Sequence, residues 1–150
     1  TDANVLACDA SFACARAARG AVERLGLADR VRVVACGAAD ALRWVGGNGG
    51  AELVALQFPT PFAVGDAATV RERRPFMLSE SVAGLVADAL SDGGAAYVAS
   101  NCEDVALRCA DALAAAGLEL EEAPDPVVAP RSGARETLRD LRLGADRRRA

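Results

Sequence analysis

Lysine and histidine are both missing from this chain of 150 residues, so every one of its 17 basic side chains is an arginine. Without histidine there is no histidine-dependent triad, no imidazole general base and no His-containing zinc site. Ala, Gly and Arg are abundant, which points to biased codon usage as much as to selection for arginine chemistry. Also missing is any Cys-x-x-Cys spacing: Cys8, Cys14, Cys36, Cys102 and Cys109 lie singly in apolar or helical stretches. That pattern predicts free, mostly buried thiols in a reducing compartment, with neither a disulfide framework nor a metal site. Apolar runs of membrane-spanning length are lacking, as is a recognisable signal peptide, so no membrane partner is expected. The chain starts at Thr1 and not at Met, so a targeting segment could have been lost with whatever preceded it. The expected location is intracellular, in the cytoplasm or an organelle.

What is present suits one globular domain over residues 1–150, since 52% of the residues are hydrophobic and the length does not call for two cores. A formal net charge of -4 gives no general attraction to nucleic acid, so RNA contact would have to come from local basic patches. The charge is uneven. Glu119, Glu121, Glu122 and Asp125 form an acidic cluster, and seven arginines from Arg131 to Arg149 make segment 131–150 basic. A solvated face and a frayed tail are the plainer reading of both, which places the core at about residues 3–130.

Short apolar runs alternate with amphipathic stretches, the pattern of parallel strands with helices on both faces. Asn4 to Cys8 reads as a buried strand ending in Asp9. Ser11 caps a helix that Gly26 stops, and Val31 to Cys36 is a second strand. A short helix from about Asp40 to Val45 leads into the glycine loop Gly46 to Gly50. Leu53 to Gln57 is a third strand, apolar on both faces and so central in a sheet. It runs into Phe58-Pro59-Thr60-Pro61-Phe62, where two prolines forbid both ladder and helix. A helix from Ser79 to Leu90, a turn at Asp92-Gly93-Gly94, a strand from Ala95 to Ala99 and a helix capped by Asn101 and ended by Gly117 follow. Leu118 to Glu122 and Val127 to Val128 fit terminal strands, and Gly133 to Leu143 a last helix.

Three stretches together resemble the tRNA (guanine-N7)-methyltransferases. Leu53 to Phe62 followed by Arg71-Glu72-Arg73-Arg74 is similar to that family's strand running into Phe-Pro-Asp-Pro-Trp and then a basic loop ending Lys-Arg-Arg. Leu90-Ser91-Asp92-Gly93-Gly94, a strand, then Ser100-Asn101 look like its Leu-x-x-Gly-Gly turn, strand and Thr-Asp. Asn4 to Asp9 resembles the strand that normally ends Gly-Ile-Glu, and Leu25-Gly26-Leu27 also matches. The resemblance covers roughly residues 3 to 115. It implies a doubly wound, mostly parallel α/β sheet, the Rossmann-like methyltransferase fold, with S-adenosylmethionine as cofactor and tRNA as partner.

By the same resemblance, Asp9, Gly37, Ala38 and Phe58 would hold the cofactor. Pro59, Thr60, Pro61, Arg71, Arg73, Arg74, Ser100 and Asn101 would meet the substrate, and no catalytic side chain is assigned. In an open parallel sheet Asp9, Gly37, Ala38, the Pro59 to Phe62 turn and Ser100-Asn101 fall at the carboxyl ends of strands, where ligands sit. Asp9 there can accept from both ribose hydroxyls of a nucleoside, or can simply be the acid of a strand-to-helix turn. The chain also departs from the family. Its first strand and glycine-rich turn are lacking before Asn4, and Gly46 to Gly50 lies at the wrong end of the sheet to replace them, so the chain reads as one partial domain of a longer protein. Thr60 and Asn101 stand where carboxylates are usual, Phe62 replaces Trp, Ala38 replaces an Asp, and Val64 to Ala67 replaces the basic start of the loop. Two readings follow: methyl transfer to guanine N7 of tRNA, or a degenerate member kept as an RNA- or partner-binding module.

Overall fold

The computed structural model describes residues 3–59, 77–100, 102–122 and 143–146. They form two compact units, Thr1–Trp44 and Val45–Ala150.

The first unit is built from β1 (Val5–Asp9), α1 (Phe12–Arg24) and β2 (Val31–Ala35). The helix starts where the sequence predicts: Ser11 is its N-cap, and its Oγ accepts the Cys14 N–H at 3.3 Å. It ends in a Schellman turn. Gly26 N–H donates to the Glu23 carbonyl and Leu27 N–H to the Val22 carbonyl, with Gly26 at φ 66°; that left-handed conformation costs a residue with a Cβ and costs glycine nothing. The chain returns in parallel, pairing Val5 with Val31 and so on to Asp9 with Ala35. Arg19 reaches from α1 to donate its Nε to the Val33 carbonyl at 3.0 Å, which fixes the helix against β2. Ala15 is the best-buried side chain of this helix, while Val5 is 48% exposed. α2 (Ala38–Gly46) begins in this unit, and its last two residues belong to the second.

The second unit holds β3 (Ala51–Gln57), α3 (Glu80–Ala89), β4 (Leu90–Ala99), α4 (Glu103–Ala115), β5 (Glu119–Glu122) and β6 (Leu143–Asp146), with strand order β3-β4-β6-β5. β3 and β4 are parallel, and β6 runs antiparallel to both of its neighbours. α3 buries Ala83, Val86, Ala87 and Ala89, and α4 buries Val105, Ala106, Cys109, Ala110 and Leu113. Alanines on both helices let their backbones come close, so the core is sealed mostly by small side chains around Leu78, Val86, Val98 and Leu113. α4 closes as α1 does, with Gly117 at φ 86° and Leu118 N–H on the Leu113 carbonyl.

The parallel α/β pattern is as expected, and so is the lack of a strand pairing β1 with β3: among the described residues β1 pairs only with β2 and β3 only with β4. Three features differ. β4 begins at Leu90, because Ala51 pairs with Leu90 and Leu53 with Ala95; the Asp92-Gly93-Gly94 turn is therefore a bulge inside the ladder. The expected cap Asn101 lies outside the described residues, and the N-cap position of α4 is held by Cys102. Leu143, expected to end a helix, opens β6, which carries ordered structure past residue 130. The expected elements at Val127 to Val128 and from 133 to 142 lie outside the described residues.

Candidate functional site

At the carboxyl end of the first parallel pair, Asp9 is the last residue of β1 and faces Ala35 in register. Its Oδ1 accepts the Ser11 N–H at 2.7 Å, and Ser11 in turn caps α1. One carboxylate oxygen thus shapes the strand-to-helix turn. The side chain is exposed, and Oδ2 has no hydrogen-bond partner among the described residues. Asp9 therefore serves the turn and keeps an acceptor pointed away from it.

Across from it, the Gly37 carbonyl accepts the N–H groups of Asp40 and Ala41, both at 3.2 Å, and so starts α2. Ala38 and Ala39 precede that ladder, leaving two backbone donors at the helix start. Asp40 is tied to Arg43 at 3.1 Å on the exposed side of the helix. Cys8 precedes Asp9 on β1, and Cys36 lies near enough to act on its thiol. Partial burial, the neighbouring Cys36 and then Asp9 push the Cys8 thiol pKa up.

The second unit presents its own strand ends. Gln57 pairs with Ala99, and Phe58 N–H donates to the Ala99 carbonyl at 2.7 Å, one step past β3. Phe58 sits at φ 50° and is 56% exposed, while Pro59 after it is buried. A left-handed aromatic residue costs about 1–2 kcal/mol; here it places an exposed aromatic residue at a strand end. Ser100, 4% exposed, donates its hydroxyl to the Cys102 carbonyl at 3.1 Å and accepts the Cys102 N–H at 3.1 Å. Its hydroxyl proton is thereby spent on the turn into α4. Thr60, Pro61, Arg71, Arg73, Arg74 and Asn101 lie outside the described residues. The glycine loop 46–50 precedes β3 and so lies at the amino end of that strand.

Of the expected site residues, then, the structure groups Asp9 with Gly37 and Ala38 in one unit, and Phe58 and Pro59 with Ser100 in the other. The cysteines correct the expectation of mostly buried thiols: Cys8, Cys14 and Cys102 are exposed, Cys36 is half-buried, and only Cys109 is buried. Cys8 and Cys14 lie on a strand and a helix with thin cover, which their apolar sequence neighbours conceal. Among the described residues no group of three or more His, Cys, Asp or Glu side chains could hold a metal ion, and no helix is long and apolar enough to cross a membrane.

No protein-family pattern matches the sequence, and no curated protein does. Solved structures do resemble it. A SAM-dependent O-methyltransferase from Thermotoga maritima matches 98% of this chain with a TM-score of 0.58 at 15% identity. A protein described as a putative rRNA methylase from Clostridium thermocellum matches 95% of this chain and 73% of its own, with a TM-score of 0.54 at 11% identity. The chain spans about half, 51%, of the length of the Thermotoga protein. The fold is therefore the Rossmann-like α/β fold of methyltransferases.

Proposed function

We propose that this chain belongs to an S-adenosylmethionine-dependent methyltransferase that acts on guanine N7 in tRNA. The observation that carries the reading is Asp9: an exposed carboxylate at the carboxyl end of a parallel strand, one oxygen fixed by the Ser11 N–H and the other available. A ribose presents two adjacent hydroxyl donors, which an acceptor held this way suits. The free N–H groups of Ala38 and Ala39 add donors for the ring nitrogens of a purine at the same strand ends. The likeness to the two methyltransferases supports the cofactor class, and the rRNA methylase supports RNA as the substrate.

When bound, S-adenosylmethionine would supply a sulfonium-activated methyl group. Guanine N7 already carries a free lone pair, so this chain would need no base and its lack of histidine is no obstacle; its task would be alignment. Phe58, with its exposed ring, offers an apolar face to a base or to the adenine. Thr60, Pro61, Arg71, Arg73, Arg74 and Asn101 complete the proposed RNA-facing set.

The test is calorimetry of the full-length natural protein with S-adenosylmethionine. Asp9→Asn keeps the turn acceptor and removes the charge, so the Kd should rise about ten- to a hundredfold, the value of a hydrogen bond to a charged group. An unchanged Kd would take Asp9 out of the site. Ser100 favours a second reading, a module that holds RNA or a protein partner without catalysis, because its hydroxyl proton is committed to the Cys102 carbonyl. Binding of tRNA without any binding of S-adenosylmethionine would select it.

A further inference from the structure

Ser11 meets the fold through its carbonyl, its hydroxyl and its N–H, each with a different partner. The carbonyl accepts the Ala15 N–H at 3.0 Å, and Ala15 is 1% exposed, so Ser11 is anchored in the body of α1. The Oγ accepts the Cys14 N–H at 3.3 Å and caps the helix. The N–H donates to Asp9 Oδ1 at 2.7 Å. Asp9 is held from its own side, because β1 pairs it with Ala35. The turn from Asp9 to Ser11 is therefore pinned at both ends, and the bond from N–H to carboxylate closes it. An exposed aspartate without such a donor spreads over three staggered χ1 wells. Here one oxygen is held, which fixes where the other stands.

We propose that Ser11 is a positioning residue for ligand binding: its N–H holds the Asp9 carboxylate in the rotamer that offers Oδ2 to a ribose diol, while its Oγ serves the stability of α1. The assignment rests on the reading of Asp9 as the ribose acceptor. A ligand that needs one rotamer binds more weakly in proportion to the fraction of molecules lacking it. Release of the carboxylate among three wells should thus raise the Kd about threefold, and about tenfold where the released side chain prefers another well.

A backbone substitution separates the two roles. Ser11 lies at φ -81° and ψ 114°, a conformation open to proline, which has no N–H. Ser11→Pro removes the donor to Asp9 together with the cap, and Ser11→Ala removes the cap alone. The experiment is calorimetry of the full-length natural protein with S-adenosylmethionine for both variants, each also made with Asp9→Ala, and thermal unfolding of all of them. Ser11→Pro should bind about three- to tenfold more weakly than Ser11→Ala. With Asp9→Ala present the two should bind alike, since no carboxylate is left to aim; a change that merely distorted α1 would still separate them. Equal Kd values for Ser11→Pro and Ser11→Ala, or the same gap with and without Asp9, would overturn the positioning role and leave Asp9 in the site. A Kd unchanged by Asp9→Ala alone would remove the reading of Asp9 and the role of Ser11 with it. Should Ser11→Pro not fold, NMR of the ligand-free wild type decides: the Hα–Hβ couplings of Asp9 should report a single rotamer, and averaged couplings would overturn the proposal.

Discussion

Gly94 is where the β3–β4 ladder leaves no room for a side chain. A Cβ built there would lie 2.8 Å from the Ala51 carbonyl oxygen, 3.0 Å from that of Ser91 and 3.3 Å from that of Glu52. All three are backbone atoms, two of them on β3 and one in the bulge of β4 itself. Rotating a side chain cannot relieve them; the strands must part or the bulge must open. Overpacking a tight site costs about 1–3 kcal/mol, and the fixed acceptors place Gly94→Ala at the upper end of that range. With a urea m-value of about 1–3 kcal/mol/M, the midpoint should fall by roughly 1–3 M. Gly84, inside α3, supplies the control. A Cβ there meets nothing within 4 Å, so Gly84→Ala should gain about 0.5–1 kcal/mol by lowering the entropy of the unfolded chain and improving helix propensity. Both are read by circular dichroism in urea. A Gly94→Ala midpoint equal to wild type would refute the tight β3–β4 bulge, and a destabilised Gly84→Ala would refute the open space beside α3.

Two further outcomes follow from charge. Burial pushes the Cys109 thiol up to about 11 from an ordinary value of 9.0, so between those values the unfolded chain loses its proton and the folded chain keeps it. The unfolded state then binds fewer protons, and stability should decline as pH rises from about 9 to about 11; urea midpoints across that window should drop for wild type and flatten for Cys109→Ala. On the RNA side, replacing Arg71, Arg73 and Arg74 together by Ala should flatten the slope of log K against log salt by about 2 to 3 for tRNA, at roughly 0.7–0.9 for each phosphate that is no longer neutralised. Thr60→Ala should reduce turnover or base preference and leave that slope alone, and equal slopes for wild type and the triple variant would reduce the loop to a solvated surface.

The helices and parallel strands were legible because their signals are local. Ser11, Gly26 and Gly117 each mark a helix end by a chemistry that acts within a few residues, and the structure places all three at helix ends. What escaped was non-local. β6 is Leu143-Gly144-Ala145-Asp146, four residues without an apolar period, and it is a strand only because β4 on one side and β5 on the other complete its hydrogen bonds. β4 begins early for the same reason: Leu90 follows α3 without a break and is captured by Ala51 before the bulge. Strand sequences also misled about burial. β3 reads as an interior strand, yet Leu53 is 61% exposed, while Val98 on β4 is 1% exposed. Among the described residues β4 has hydrogen-bonded neighbours on both edges and β3 on one, so the apolar content of a strand records what it is suited to cover, and its pairing decides how much it covers.

The site was legible to the same depth. Position along a strand can be read from sequence, which is why Asp9, Gly37, Phe58 and Ser100 were all placed at carboxyl ends. Register and backbone conformation cannot. Only the structure shows that Asp9 spends one oxygen on the Ser11 N–H, that Phe58 takes a left-handed backbone at the strand end, and that Ser100 has given its hydroxyl to Cys102. These three facts change the roles. The carboxylate at Asp9 has one oxygen bound by the turn and one without a hydrogen-bond partner among the described residues, whereas the hydroxyl at Ser100 has its donor consumed by the fold. A strand-end residue is available for binding only to the extent that its polar atoms exceed what the turn beneath it requires. By that measure the first unit's strand ends, with Asp9 Oδ2 and the N–H groups of Ala38 and Ala39 in surplus, are the better equipped to hold a ligand, and Ser100 is better placed to shape the loop that carries one.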